Sequence, residues 1–389
     1  MSRMKILTFD YEYPPVGGGG GVVHALIAEE LAKTHEVSVV TSAFDKLPRQ
    51  EIRGGVRIYR LPVIGRGDVN TASLVSMLSY PPLAWIIASK LMRREKFDVI
   101  NSHFAVPTAP GSLPPAKLAD VPHVLSLHGG DIYDPSKKLS PHRLPGVRAT
   151  VNWTLRLSDA VVAQSTNTRE NAYRYYRYRG PIEVIPLGIR QPQVPDASRA
   201  QLGLPGDRFL AITVGRLVKR KGIDQLLKAL TYPGCTDVHL LIVGDGPERD
   251  PLTKIASQLG LNGRVTFTGR VEERLKWQLL KCADAYVSST LHEGFGLVYL
   301  EGMAAGLPVV TFDHGGQVDF LRDGETGFLV TAGDTAGLAA AVARLVTNPA
   351  EGKRIGARNL ERAPRHRIEE CARGYEALFE RVIAEKTGR

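Results

Sequence analysis

Cysteine is scarce: 389 residues hold three, at Cys235, Cys282 and Cys371. Three distant thiols make neither a zinc-ligand pattern nor a disulfide framework, and they suit a reducing cytoplasm. The chain opens MSRMKILTFD, straight into a strand pattern, so no signal peptide is expected. There is no uninterrupted run of eighteen apolar residues, so no membrane span is expected. Metal chemistry has no Asp-x-Asp motif to build on. Nor does the glycine run 17–21 complete G-x-G-x-x-G, because every register puts Val22, Val23 or His24 in the last place, which argues against a dehydrogenase.

What is present is ordinary globular composition, 43% hydrophobic and 23% charged, at a length that suits two domains of roughly 180 residues. The net charge of +10 is unevenly spread. Residues 1–190 carry 24 basic against 16 acidic side chains, and residues 191–389 carry 26 against 24. A basic first half suits an anionic acceptor or a phospholipid surface, and equally a solvated face that aids solubility.

Apolar runs at residues 5–10, 37–41, 56–62, 98–102, 123–127, 160–164 and 183–186 alternate with helical patterns, the first of them at 22–33 after the glycine run. Such alternation predicts a parallel, doubly wound sheet whose ligands sit beyond the carboxyl ends of the strands. His103 and His128 fall at two such ends. His128, followed by Gly129, Gly130 and Asp131, reads as functional; Asp131 would orient it or bind an acceptor. His103 has no motif around it and reads as structural.

Two segments have the composition of a lipid-facing patch: LAWIIASKLMRR at 83–94 and YRYYRYR at 173–179. The alternative for both is a core-facing helix with a basic rim. A single Tyr/Arg run without a binding module does not suggest nucleic acid. Residues 186–195 (PLGIRQPQVP) read as an interdomain linker, after which the alternation restarts.

In the second half, a strand at 209–214 runs into Gly215-Arg216-Leu217 and Lys219-Arg220-Lys221-Gly222, followed by a helix. Fixed cations at a strand end suit a dianionic leaving group: Arg216 can grip two oxygens and Lys221 acts as a point charge. Lys219 and Arg220 read as solvated neighbours.

The rest of the chain is organised around 291–310 (LHEGFGLVYLEGMAAGLPVV), between a strand at 283–290 and another in LPVVTF. A helix from Gly296 to Ala305 would offer unpaired amides and its positive dipole end to a phosphate. Glu293 precedes that helix and Glu301 lies in its second turn. Carboxylates beside an anion site make poor phosphate ligands but good acceptors for sugar hydroxyls, so the chemistry suggested is a nucleotide sugar held by its phosphates.

The Glu-x7-Glu spacing inside EGFGLVYLEGMAAGLPVV, with the G-R-L…K-G element before it, resembles the signature of the family-4 retaining glycosyltransferases. Also similar are the Gly-Gly turn at 315–319, with Asp319 for the family's Glu, and the closing strand at 327–330. Leu187-Gly188 replaces the family's usual Asn-Gly.

That resemblance implies the GT-B fold: two Rossmann-like domains of doubly wound parallel sheet facing across a cleft. Residues 1–188, with a last helix at about 366–389, would form the acceptor-side domain, and residues 189–365 the donor domain. It implies a retaining, metal-independent hexosyltransferase that needs no cofactor and serves cell-envelope or polysaccharide biosynthesis. Its donor would be a UDP- or GDP-sugar and its acceptor a lipid, glycan or small molecule; peripheral membrane contact is an expectation from the basic charge of the first half, not from the resemblance. Arg216 and Lys221, with the amides around Gly294, Phe295, Gly296 and Leu297, would bind the diphosphate, Glu301 the ribose and Glu293 the sugar's 3-hydroxyl. His128 would lie near the anomeric carbon, Gly19 and Gly20 near the donor phosphates, and Arg270 and Val271 beside the base. The rivals are a non-catalytic nucleotide-sugar binder and a sugar-nucleotide epimerase on the same fold.

Overall fold

The computed structural model describes residues 3–69, 72–136 and 139–388. The chain divides into two compact units, Met1–Ile189 with Ile368–Arg389, and Arg190–Arg367. The first crossing falls within the proline-rich stretch, at Ile189/Arg190.

The first unit is an eight-stranded sheet in the order β3-β4-β2-β1-β5-β6-β7-β8. The strands are β1 (Lys5–Phe9), β2 (Glu36–Ser42), β3 (Gln50–Arg53), β4 (Val56–Leu61), β5 (Val99–His103), β6 (His123–Leu127), β7 (Ala160–Ala163) and β8 (Glu183–Val184). Helices α1 (Gly19–Leu31), α2 (Leu74–Arg94), α3 (Ala109–Leu118), α4 (Pro145–Leu157) and α5 (Thr166–Tyr176) connect them. Every residue of β5 and β6 is buried, as expected of parallel strands covered on both faces. The pairing is parallel except for β3 against β4, an antiparallel edge formed by QEIR. This strand was not anticipated: its burial pattern shows it mostly exposed, and it lacks the apolar run that marks the others.

In the second unit a six-stranded sheet has the order β11-β10-β9-β12-β13-β14. Its strands are β9 (Phe209–Val214), β10 (Val238–Val243), β11 (Val265–Gly269), β12 (Ala285–Val287), β13 (Val309–Phe312) and β14 (Gly327–Val330). Its helices are α6 (Ile223–Ala229), α7 (Arg249–Gln258), α8 (Glu273–Cys282), α9 (Leu297–Ala304), α10 (Thr335–Thr347) and α11 (Pro349–Arg362). The apolar side chains of β9, β10, α6 and α10 form one core.

The last helix, α12 (Ile368–Thr387), belongs to the first unit. It is fastened there by His35 Nε2 to Glu376 at 2.9 Å and by Tyr375 Oη to Ser126 Oγ at 3.2 Å.

In both sheets the chain starts near the middle and reverses direction of growth, between β1 and β5 and between β9 and β12. Loops leaving a parallel sheet at such a reversal diverge and open a crevice at the carboxyl ends.

Three local expectations change. The glycine run is not all loop, because α1 begins at Gly19. The Tyr/Arg run is no lipid patch: Tyr176 is buried, Tyr175 stacks on Tyr133 at 4.4 Å, and the arginines point outward. Helix α5 ends at Tyr176 and Arg177 is left-handed, at φ +49°, so packing rather than one continuous helical face separates the rings from the charges. Finally, the apolar segment at 83–94 is the latter half of α2, which by length and composition is the one helix among the described residues apolar enough to cross a membrane. Its buried Tyr80, Ala84, Ala88 and Leu91 nevertheless join the core of the first unit.

Candidate active site

At the reversal of the second sheet, β9 ends at Val214 and hands over to Gly215 and Arg216, while β12 ends at Val287 and leads to Ser288–Thr290. Gly215, Arg216, Lys221, Ser288 and Thr290 line a small depression there.

Two loops meet across it. Leu291 N donates to Arg220 O at 2.8 Å, and Arg220 Nη1 donates to His292 O at 3.1 Å. Arg220 is therefore not a solvated neighbour but a tie between the loops. Gly222, at φ +59°, sits where a Cβ would lie 2.3 Å from Ser289 O, so only glycine lets the loops approach this closely.

The tie delivers Lys221 Nζ to Glu293 Oε2 at 2.6 Å, with both side chains largely buried. Burial pushes the Glu293 carboxyl up, but Lys221 and Arg220 more than offset it and hold the group below the usual glutamate range. Glu293 is thus an ionised acceptor at neutral pH, unsuited to donating a proton. Its backbone carbonyl accepts from Gly316 N at 2.9 Å, so the Gly-Gly turn buttresses the loop from behind.

Helix α9 begins after Gly296, whose φ is +97°; a Cβ there would fall 2.3 Å from the Tyr299 ring. Phe295 is buried against Phe320, with ring centroids 5.2 Å apart, which leaves its backbone rather than its ring to face a ligand. One turn on, Glu301 Oε1 accepts from Lys276 Nζ of α8 at 2.7 Å. Its Oε2 is buried and has no hydrogen-bond partner in the unliganded chain. Burial raises the Glu301 carboxyl and Lys276 draws it back, with a net upward shift. An unsatisfied buried carboxylate oxygen is costly, and it implies a donor supplied by something that binds.

Arg270 and Val271 follow β11 at the sheet edge, two strands away from β9; Arg270 is exposed.

In the first unit, His128 stands at the end of β6. Its Nε2 lies 2.9 Å from His103 Nδ1 at the end of β5. His103 stacks in turn on His24, with centroids 4.0 Å apart, and His24 Nε2 meets Thr8 Oγ1 at 2.7 Å. Burial pushes His128 down to about 4 and His103 well below its ordinary value, so both rings are neutral at pH 7. His128 Nδ1 is buried without a partner. His103 is the ring that holds His128, through a hydrogen bond between neighbouring strands.

Asp131 accepts from His128 N at 3.0 Å and from Ala105 N at 2.7 Å. Through these backbone amides it ties together the loops after β5 and β6.

Gly19 and Gly20 form the first turn of α1. A Cβ on Gly20 would strike the Phe104 ring at 2.5 Å, whereas one on Gly19 would meet nothing within 4 Å. Phe104, at φ +75°, lies between Gly20 and His128, with its ring 4.5 Å from the imidazole.

Comparison with known proteins places this geometry. Glycosyltransferase Family 4 matches residues 16–191 and Glycosyl transferases group 1 matches residues 195–362. Mycobacterium tuberculosis glycogen synthase is 31% identical over 374 residues, 90% of this chain and 88% of that protein. The chain is a family-4 glycosyltransferase.

The Rhizobium meliloti lipopolysaccharide core biosynthesis glycosyltransferase LpsD is 36% identical over 216 residues, 54% of this chain and 60% of its own length. The glycosyltransferase has the GT-B fold: sucrose-phosphate synthase from Thermosynechococcus elongatus superposes with a TM-score of 0.84 at 23% identity, covering 98% of this chain and all of that one. Anabaena HepE in complex with UDP and glucose superposes at 0.73 and 23% identity, over 97% and 100% of the two chains.

The sequence reading passed over Lys276 and Phe104 and did not connect His103 with His128. Lys276 lies in an amphipathic helix where lysine is commonplace, and its approach to Glu301 across 25 positions leaves no local pattern. For His103 a signal existed: it ends the strand next to the one that ends near His128.

Proposed function

We propose that this glycosyltransferase is a retaining, metal-independent enzyme that moves a hexose from a nucleotide-diphosphate sugar, UDP- or GDP-linked, to a hydroxyl of a lipid, glycan or small-molecule acceptor. The observation that carries the reading is the Lys221–Glu293 pair at the sheet reversal, on the loop that opens the helix of Glu301.

Arg216 and Lys221, with the amides of Gly296 and Leu297, neutralise the diphosphate as it departs. Their contribution is electrostatic and grows with the charge on the leaving oxygen. Glu293, kept ionised by Lys221, accepts a hydrogen bond from a donor-sugar hydroxyl. The ribose hydroxyls take the unpartnered Oε2 of Glu301. Arg270 and Val271 flank the base, mainly through backbone. In the first unit, Nδ1 of His128 meets a sugar hydroxyl near the anomeric carbon, and the open space at Gly19 admits a phosphate. The acceptor's proton passes to the leaving phosphate, since Glu293 is engaged by Lys221 and burial makes His128 a weak base. No cofactor enters this scheme. A reducing cytoplasm belongs to the same reading and suits the three free thiols.

The test is thermal stabilisation and acceptor-free hydrolysis with UDP-, GDP-, ADP- and dTDP-glucose, with Glu301→Ala as the control. One nucleotide that stabilises the wild type but not the variant, and is hydrolysed to the α-anomer, supports the reading. Stabilisation without turnover of any donor, with or without acceptor, points to a non-catalytic binder. No shift with any nucleotide overturns the proposal.

A further inference from the structure

Helix α2 shows two faces that are both apolar, and only one is used. Inward, Ser76, Tyr80, Ala84, Ala88 and Leu91 are buried, and Tyr80 Oη donates to Val40 O at 2.8 Å, so this side is committed to the sheet. Outward, Leu74 is 63% exposed, Val75 56%, Leu78 67%, Trp85 43% and Ile86 65%. At 100° per residue these five fall within an arc of about 120°.

The patch continues onto the preceding loop. Ile64 is 67% exposed, and its N–H donates to Ser79 Oγ at 3.0 Å, while Ser73 Oγ donates to Gly65 O at 2.6 Å. Single exposed leucines are normal on a soluble surface, but six large apolar side chains on one face are not.

Charge identifies what covers them. Helix α2 contains no acidic residue, and past the apolar face stand Lys90, Arg93, Arg94 and Lys96, all exposed. Glu95, among them, is already engaged by Arg57 at 3.2 Å and lies 3.7 Å from Lys5. An apolar face carrying a tryptophan, with long cationic side chains at one end, matches the boundary between acyl chains and anionic headgroups.

We infer that the outward face of α2, with Ile64, docks the protein on an anionic phospholipid surface. Because the inward face is held by the sheet, the helix lies along the bilayer surface and does not cross it. Leu78, Trp85 and Ile86 enter the acyl boundary, and Lys90, Arg93 and Arg94 meet headgroup phosphates. The inference rests on the first unit alone and stands whichever sugar is transferred.

The test is flotation of the full chain with vesicles of phosphatidylcholine alone and of equimolar phosphatidylcholine and phosphatidylglycerol. Expected are binding to the mixed vesicles that weakens with salt, and a blue shift of tryptophan emission that Trp85→Phe abolishes. Leu78→Glu with Ile86→Glu should lower vesicle affinity by about tenfold or more, and Arg93→Glu with Arg94→Glu should remove the preference for the anionic lipid. Both double variants should melt at the wild-type temperature and keep wild-type donor hydrolysis, because neither touches the residues of the active site. Failure to float with anionic vesicles overturns the inference, as does undiminished binding by the Leu78/Ile86 variant. A dimer in sedimentation that those two substitutions dissociate, without vesicle binding, would assign the face to a second copy of the chain instead.

Discussion

His103 Nδ1 and His128 Nε2 lie 2.9 Å apart, so the imidazoles ending two neighbouring strands share one hydrogen bond. That bond sets the plane of the His128 ring and couples its tautomer to that of His103. Asparagine can imitate Nδ1 and alanine cannot. We expect His103→Ala to lower kcat by about fivefold to tenfold, the worth of one hydrogen bond, and His103→Asn to restore much of it. Steady-state kinetics with melting curves check this; equal turnover in the two variants would mean that the pair only stabilises the fold.

Arg216 is exposed while Lys221 is tied to Glu293. Arg216→Ala should cut kcat far more than it raises KM, because its contact with the phosphates strengthens as charge develops. Lys221→Met should cost both turnover and stability, because it strands the Glu293 carboxylate, and Glu293→Gln in the same chain should recover part of the stability. With side chains supplying the positive charge, EDTA should leave turnover intact. Lost activity restored by a divalent cation would overturn metal independence.

Glu301 offers a second pair for dissection. Glu301→Ala removes two charge-assisted bonds worth roughly 1.5–3 kcal/mol each and should weaken donor binding by about tenfold or more. Lys276→Met leaves the carboxylate in place but unopposed in its burial, so its pKa climbs further. As pH falls, that variant should lose donor affinity at a higher pH than the wild type does. Calorimetric titration at several pH values would show this, and a flat profile for Lys276→Met would contradict the pairing.

The glycine turn of α1 separates packing from binding. Gly20→Ala presses on Phe104 and should lower the melting temperature, whereas Gly19→Ala meets open space and should not. Gly19→Ala should nevertheless raise the KM for donor, because the added methyl occupies the approach to the helix N-terminus. Wild-type KM would remove Gly19 from the site.

Acid stability follows from the buried histidines. Burial pushes His24 and His123 down to about 3, His128 to about 4 and His103 well below its usual value. Below about pH 6.5 the unfolded chain takes up protons that the folded state refuses, so stability falls with pH by about 1.4 kcal/mol per unit for each histidine. The shares of the four act in the same direction until the folded-state values are approached. The raised carboxyl of Asp10, 3.0 Å from His24, works in the opposite direction where it titrates. Urea unfolding between pH 7.5 and 5.5 measures the slope, and His123→Gln should lessen it by one histidine's share.

Much of this was legible before any coordinates. Strand positions such as 123–127 and 209–214 coincide with β6 and β9, because a parallel strand buried on both faces writes itself as a short, mainly apolar run. The Glu293–Glu301 stretch could be read because its chemistry is local: one loop and one helix carry the amides and both carboxylates. β3 stayed hidden because an edge strand need not be apolar.

The amino-acid sequence alone determined the alternation of strands and helices, and with it a doubly wound sheet in each half, because burial of one face or two is recorded in periodicity. It also determined which residues end the strands. Tertiary structure decided which of those ends meet. Lys221 and Glu293 are 72 positions apart, and His103 and His128 are 25 apart; strand order, not spacing, brings each pair within hydrogen-bonding distance. Likewise only packing could decide that Tyr173–Tyr178 turn inward while Leu78 and Ile86 of α2 stay outside. An apolar side chain records its aversion to water, and the choice of what covers it belongs to the neighbours the fold provides.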